Sequence, residues 1–401
     1  MATLGIERHL ANKIVAIAKT MPALLVTGPR QSGKTTLVRR TFPKHRYVSL
    51  ENPDELDFAL NDPRGFLKKY DAPAILDEVQ RAPQILSYLQ QMIDEDGRGG
   101  QWILTGSQHF LLMSQASQTL AGRLAIMELL PLSLAEVVGA PVLDPEDALL
   151  RDSVARRPAA SLNEIIFRGF YPRLQDVALD ANDWLSAYVQ TYVERDVRNL
   201  LKIGDLGAFR RFLRLCAGRS GQILNFSSLA NDAGISSPTA HSWIGILEAS
   251  FIVRLLPPYF RNFNKRLIKA PKLYFLDTGL LCHLLEVRKS QDIAAHPLRG
   301  AIFETFVVSG LYKMFANFGR RAPLYFWRDH VGHEIDVVVD LGDGFVPLEI
   351  KSAKTVNTEF FKDMQWWLAL RDQPDRSGIL CYGGDQSYQK GSFTIHPWWC
   401  F

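Results

Sequence analysis

The sequence has no long hydrophobic run. Nowhere in its 401 residues do apolar positions approach eighteen in a row, so a membrane-spanning helix is not expected. The N-terminus also lacks a basic segment followed by an apolar one, the pattern of an export signal, and residence in the cytoplasm away from membranes is the expectation. Cysteine is scarce. The four present, Cys216, Cys282, Cys381 and Cys400, are far apart and in no metal-ligand spacing, which points to reduced structural thiols and excludes a disulfide framework. No internal repeat or low-complexity tract occurs, and no single sign of charge dominates, since 22% of residues are charged and the net charge is only +4. A solenoid and a disordered tail are thereby excluded. What remains is a globular chain, 47% hydrophobic and long enough for two or three domains.

Within that chain one segment is specific. Gly28, Pro29, Arg30, Gln31, Ser32, Gly33, Lys34 and Thr35, followed by Thr36, read G-x-x-x-x-G-K-T-T after the apolar run Leu24-Leu25-Val26. Delivered by a strand and closed by a helix, such a loop curls its backbone N–H groups around phosphates, and the helix N-terminus adds partial positive charge. Lys34 is expected to reach the β- and γ-phosphates of a nucleoside triphosphate, and Thr35 to offer a hydroxyl to Mg²⁺. ATP and Mg²⁺ are therefore the expected ligands.

About forty residues on, Ala74-Ile75-Leu76 ends in Asp77 and Glu78. A short apolar strand ending in carboxylates suits a buried parallel strand whose C-terminal edge faces the loop. Asp77 is expected to hold Mg²⁺ and Glu78 to polarise the attacking water. A third strand, Trp102-Ile103-Leu104, runs into Thr105-Gly106-Ser107-Gln108, where Thr105 or Ser107 is placed to sense the γ-phosphate. Arg123, in Leu120-Ala121-Gly122-Arg123, is the candidate arginine finger, acting in cis or from a neighbouring subunit.

Together, Gly28–Thr35, Ile75–Pro83, Leu104–Gln108 and Gly122–Glu136 resemble a prokaryotic family of AAA-type P-loop ATPases with a C-terminal domain of unknown function 4143. The likeness extends to Tyr192–Asp196 and Glu349-Ile350-Lys351. It implies an ATPase fold and architecture; a homo-oligomer, ring or dimer, is a separate expectation, and the second arginine sensor common in AAA-type proteins has no obvious counterpart, which leaves hydrolysis geometry and ring assembly open.

The remainder divides in two. Ser186 to Ser290 carries fifteen Lys and Arg against seven Asp and Glu, an excess that attracts polyanions. Ser227–Ser236 and Ser237–Ala249 have the form of a helix-turn-helix, with Leu229 and Ala233 inward, Gly234 turning, Ser237 as N-cap, and Trp243, Ile246 and Leu247 as the buried stripe. Two strands follow, Phe251–Leu256 and Lys272–Leu276, joined by a connection bearing Arg261, Lys265, Arg266 and Lys269. That layout is a winged helix with a basic wing, suited to binding the DNA backbone.

Beyond Gly300, Glu304 lies on a helix, Asp336 in the strand Glu334–Val339, and Glu349 and Lys351 two apart, on one face of the next strand. Carboxylates so gathered hold one or two Mg²⁺ ions for phosphodiester cleavage, with the lysine beside the water. The order resembles the PD-(D/E)xK nuclease superfamily, with Gln365 at a supporting position on the following helix.

The expected fold is thus α/β throughout its outer parts. It comprises a P-loop AAA-type ATPase domain (1–140), a helical lid or linker (141–200), a winged-helix domain (201–290) and a PD-(D/E)xK nuclease-like α/β domain (291–401). An ATPase acting on duplex or branched DNA is the leading reading. The rivals are a nucleotide-dependent switch whose later domains dock a protein partner, and a small-molecule kinase, for which no acceptor pocket is legible.

Overall fold

The computed structural model describes residues 5–107, 120–150, 156–176, 179–193, 205–259, 270–342, 344–370 and 377–401. Two compact units emerge. The first is Met1–Leu132 with Ala249–Phe251 and Phe315–Arg320, and the second is Ser133–Glu248 with Ile252–Met314 and Arg321–Phe401. No helix among the described residues is long and apolar enough to cross a membrane.

In the first unit, β1 (Ala23–Thr27), β2 (Arg46–Ser49), β3 (Ala74–Asp77), β4 (Trp102–Gly106) and β5 (Leu124–Glu128) form one sheet in the order β2-β3-β4-β1-β5. Every pairing is parallel. The central strands read as unbroken apolar runs because both faces are covered. Leu24, Val26, Ile75 and Ile103 pack on one side with Leu10 and Ile14, while Leu25, Leu76, Trp102 and Leu104 pack on the other with Phe66 and Leu89. Each such side chain, once fully buried, contributes roughly 1.5–3 kcal/mol. Because β4 lies between β1 and β3, the C-terminal ends of all three strands stand side by side, the edge where ligands of open α/β sheets bind.

The same topology speaks against Arg123 acting on the phosphate loop of its own chain, one of its two expected modes. It immediately precedes β5, and Ala23, the first residue of β1, donates its N–H to the Arg123 carbonyl at 3.2 Å. Arg123 therefore sits at the N-terminal edge of the sheet, one strand length from the phosphate loop of its own chain. Its guanidinium is held by Asp94, with Nη2 3.1 Å from Oδ2.

In the second unit, helices Leu206–Gly218, Phe226–Ala233 and Ser237–Ala249 accompany a small antiparallel sheet. Its strands are β6 (Gln222–Ile223), β7 (Val253–Leu256) and β8 (Lys272–Phe275), with β8 in the middle. Gly234 turns the helix pair at φ +72°, a left-handed conformation that suits glycine. The last helix is capped by Ser236, one residue before the expected Ser237, with the Thr239 N–H donating to the Ser236 hydroxyl at 3.2 Å. Ile244 rather than Ile246 completes the buried stripe with Trp243 and Leu247. The basic connection with Arg261, Lys265, Arg266 and Lys269 lies outside the described residues.

Helix Arg299–Asn317 then leads into a second large sheet. Its strands are β9 (Leu324–Arg328), β10 (Glu334–Asp340), β11 (Phe345–Lys351), β12 (Gly378–Tyr382), β13 (Tyr388–Lys390) and β14 (Phe393–Pro397), in the order β13-β14-β12-β11-β10-β9. β9 to β11 run antiparallel, whereas β11, β12 and β14 are mutually parallel. The crossover between β11 and β12 includes helix Lys362–Leu370, whose Met364, Trp367 and Leu368 pack in one core with Ile335, Val338 and Leu380.

Candidate active sites

At the C-terminal edge of the first sheet the phosphate loop curls back on itself. Gly28, Gln31 and Gly33 all take positive φ, and a Cβ on Gly28 would meet the Leu129 carbonyl at 2.1 Å, which is why glycine stands there. Gly33 precedes helix Lys34–Thr41 without a side-chain cap, the setting in which a helix N-terminus receives an anion. Lys34 is buried, its ammonium donating to the Gly28 and Pro29 carbonyls at 3.0 and 2.9 Å. The Ser32 and Thr27 hydroxyls are buried without a hydrogen-bond partner, the mark of a cradle built for a polar ligand. A residue not anticipated from sequence braces the loop. Arg8 donates to the Ser32 carbonyl at 2.6 Å and to the Leu130 carbonyl at 2.8 Å.

Beside the loop, the Thr35 hydroxyl donates to the Asp77 carboxylate at 3.0 and 3.1 Å. Tyr47 and Thr105 also donate to Asp77, Tyr47 at 2.8 Å. Burial, then the Asp77 charge, pushes the Tyr47 hydroxyl up to about 12, so it stays a donor. These hard oxygen donors suit Mg²⁺. Glu78 sits at φ +58°, an uncommon conformation for a residue other than glycine, and its N–H donates to Thr105 Oγ1 at 3.2 Å. Its carboxylate accepts from Gln80 and from Ser107, the latter at 3.2 Å. Sequence proximity to Asp77 was the available signal for Gln80; Tyr47 and Arg8 gave none.

The second unit holds a cavity of about 550 Å³ lined by Gly221, Gln222, Ile223, Lys272, Glu304, Arg328, Glu334, Asp336, Glu349, Lys351 and Asp363. One step beyond the registered pair Val337–Leu348, Asp336 meets Glu349 across β10 and β11, and Asp336 Oδ2 accepts the Ile350 N–H at 2.8 Å. Lys351 reaches both acids, lying 3.5 Å from Asp336. Glu349 Oε2 is buried with no partner. Burial first, then Asp336, raises the Glu349 carboxyl well above its ordinary range despite the Lys351 ammonium. Burial pushes the Lys351 ammonium down, but Asp336 and Glu349 outweigh it and leave it raised.

Glu304 lines the same cavity as Asp336 and Glu349, and it is already engaged by other side chains. Its carboxylate accepts from Lys272 at 3.1 Å and from Tyr274, both on β8, and among the described residues no three Asp, Glu, His or Cys gather as a metal-ligand set. The pair Asp336 and Glu349, with its orphaned oxygen, still fits a hard divalent cation. Gln365 is exposed, and Asp363 lines the cavity instead.

A carboxyl whose pKa rises on folding binds its proton more tightly in the native state. It costs stability once the pH exceeds the ordinary carboxyl value, and the cost grows until the raised native pKa is passed. Glu349→Gln removes that cost. With a chelator present, the thermal midpoint of the variant is expected to exceed wild type by about 2–4 °C at neutral pH, the effect of ~1 kcal/mol in a domain of this size. The two should converge at about pH 3 and below, where the carboxyl is protonated in both states. A lower midpoint at neutral pH contradicts this reading.

Residues 20–138 match the AAA domain, 159–291 the domain of unknown function DUF8612, and 299–401 the domain of unknown function DUF4143. The uncharacterized proteins Rv2008c of Mycobacterium tuberculosis (strain ATCC 25618 / H37Rv) and Mb2031c of Mycobacterium bovis (strain ATCC BAA-935 / AF2122/97) are each 31% identical over 352 residues, covering 87% of this chain and 74% of theirs. Among solved structures, the Walker-type ATPase paby2304 of Pyrococcus abyssi matches at 14% identity and TM-score 0.41, over 69% of this chain and 94% of that one. AMPPCP-bound DnaA from Aquifex aeolicus matches at 15% and TM-score 0.29, over 60% and 85%.

Proposed function

This chain, with its AAA-type ATPase domain, belongs to the family of these two mycobacterial proteins, and from that premise we propose that it hydrolyses ATP to ADP and phosphate and uses the cycle to act on DNA. The observation that carries the hydrolytic half is the meeting of the Thr35 hydroxyl and the Asp77 carboxylate at 3.0 Å, beside a loop whose buried hydroxyls lack partners. Lys34 and the loop N–H groups bind the phosphates. Thr35 and Asp77 would hold Mg²⁺, which when bound neutralises charge on the β- and γ-phosphates. Thr105 fixes Asp77 and the Glu78 backbone, and Glu78 orients the attacking water and takes its proton.

In the same proposal the working divisions are an ATPase domain over 1–140, a helical lid over 141–200, a winged helix over 201–290 and a nuclease-like domain over 291–401. Three features support the DNA half. The basic excess between Ser186 and Ser290 favours phosphate, the helix pair with its three-stranded sheet suits a winged helix, and β10 and β11 carry the Asp336, Glu349 and Lys351 pattern of PD-(D/E)xK nucleases. Asp336 and Glu349 would hold a divalent cation, which supplies an activated water, with Lys351 orienting that water.

Fluorescence anisotropy of the full chain on labelled duplex at several salt concentrations tests the DNA half. Log affinity is expected to fall linearly with log salt, and replacing Arg261, Lys265, Arg266 and Lys269 by alanine to flatten the slope by up to about 0.9 for each phosphate no longer neutralised. An unchanged affinity and slope in the fourfold variant would point to a protein-docking module instead.

A further inference from the structure

The acid cavity of the second unit contains a cation of its own. Lys272, on β8 of the three-stranded sheet, is almost wholly buried, yet its ammonium lies 3.1 Å from Glu304 and 2.6 Å from Glu334. Its aliphatic stem brings the charge over the Phe326 ring, 5.5 Å from the centroid. Around it the cavity wall carries five carboxylates against three cationic side chains, an imbalance of two negative charges when all are ionised. One of those two charges lies at Asp336 and Glu349, which share Lys351 and where Glu349 Oε2 has no partner, and the other is Asp363. A buried carboxylate without a counter-charge is costly, so each acid must find a cation or a proton. Glu304 has found Lys272, and Glu334 has found both Lys272 and Arg328. Asp336 and Glu349 share only Lys351.

We propose that Lys272 is a resident counter-ion that stands in for one divalent cation: it engages Glu304 and Glu334 and leaves the cavity able to take a single divalent cation on Asp336 and Glu349. This rests on the reading of Asp336 and Glu349 as a cation site. The ammonium satisfies Glu304 in the way a second metal ion would, and a cation entering the cavity is repelled by it. The three-stranded sheet thereby sets how many metal ions the acid cluster holds, through a side chain that the Asp336, Glu349 and Lys351 pattern does not contain. Removing the charge of Lys272 leaves Glu304 with only the neutral Tyr274 hydroxyl and Glu334 with only Arg328, 3.3 Å away, and an incoming divalent cation is the available replacement for the lost charge.

Mn²⁺ binding to the full chain without nucleotide, followed by calorimetry and by the electron paramagnetic resonance signal of free Mn²⁺, tests this. Asp336→Ala identifies the share of binding that belongs to this cavity. Wild type is expected to bind one Mn²⁺ there. Lys272→Gln and Lys272→Met, the second keeping the apolar stem over Phe326, are expected to bind at least about tenfold more tightly, equivalent to ~1.4 kcal/mol, and to take up a second equivalent. Lys272→Arg, which keeps the charge, is expected to match wild type. If folded Lys272→Gln and Lys272→Met bind Mn²⁺ as wild type does, and Asp336→Ala abolishes that binding, the counter-ion role is overturned while the cation site stands. If no protein in the set shows Mn²⁺ binding that depends on Asp336, the cation site itself is overturned, and the counter-ion role with it.

Discussion

Replacing Lys34 by alanine is expected to weaken ATP binding by about a hundredfold or more and to reduce turnover to background. The Lys34 ammonium is buried and donates to the carbonyls of Gly28 and Pro29, so it is already held at the mouth of the loop. On binding ATP it would exchange those neutral acceptors for phosphate oxygens. Charge-assisted bonds of this kind are worth about 1.5–3 kcal/mol each, and the lysine makes more than one. Alanine also leaves the Gly28 and Pro29 carbonyls without these bonds, so some loss of loop order accompanies the loss of charge. Titration of a fluorescent ATP analogue against both proteins measures the effect. An affinity within about threefold of wild type, less than 1 kcal/mol, would show that phosphate is bound elsewhere.

The second large effect separates binding from chemistry. Glu78→Gln is expected to keep ATP affinity within about twofold while lowering turnover by roughly 10²–10⁴, the range associated with a positioned general base. The amide preserves the shape of the side chain and its bonds with Gln80 and Ser107, but cannot take a proton from water. The backbone at Glu78, at φ +58°, costs of order 1–3 kcal/mol and is retained where the side chain must point into the site. Single-turnover measurements of phosphate release, with binding titrated in parallel, read both quantities. Wild-type turnover in the variant removes Glu78 from this role; a matched loss of affinity and rate makes it a binding residue.

Much of the first site was legible because the relevant elements are contiguous in sequence. The phosphate loop and the Asp77-Glu78 pair each follow an unbroken apolar run, and in a parallel sheet covered on both faces such runs deliver their next residues to one edge. The same logic, applied to Arg123, places it at the opposite edge, since it precedes its strand instead of following one. What sequence could not supply was reach. Arg8 lies 24 residues from the carbonyl of Ser32 that it braces, Tyr47 lies 30 residues from Asp77, and Lys272 lies 32 residues from Glu304. None of these pairs belongs to a periodic pattern. In the second unit, the β10–β11 pairing was legible from two adjacent apolar strands, whereas the capture of Glu304 by Lys272 and Tyr274 depends on how another sheet is packed. The one-residue shift from Ser237 to Ser236 at the helix cap is the ordinary uncertainty of two adjacent serines.

The coupling of ATP hydrolysis to DNA is tested most directly by steady-state ATP turnover of the full chain with Mg²⁺, measured alone and with duplex, branched or single-stranded DNA, and with Lys34→Ala as the blank. Turnover above that blank, raised several-fold by at least one of the three DNAs, is the expected result. Turnover indistinguishable from the Lys34→Ala blank contradicts the hydrolytic half, and robust turnover that none of the three DNAs changes contradicts the coupling to DNA.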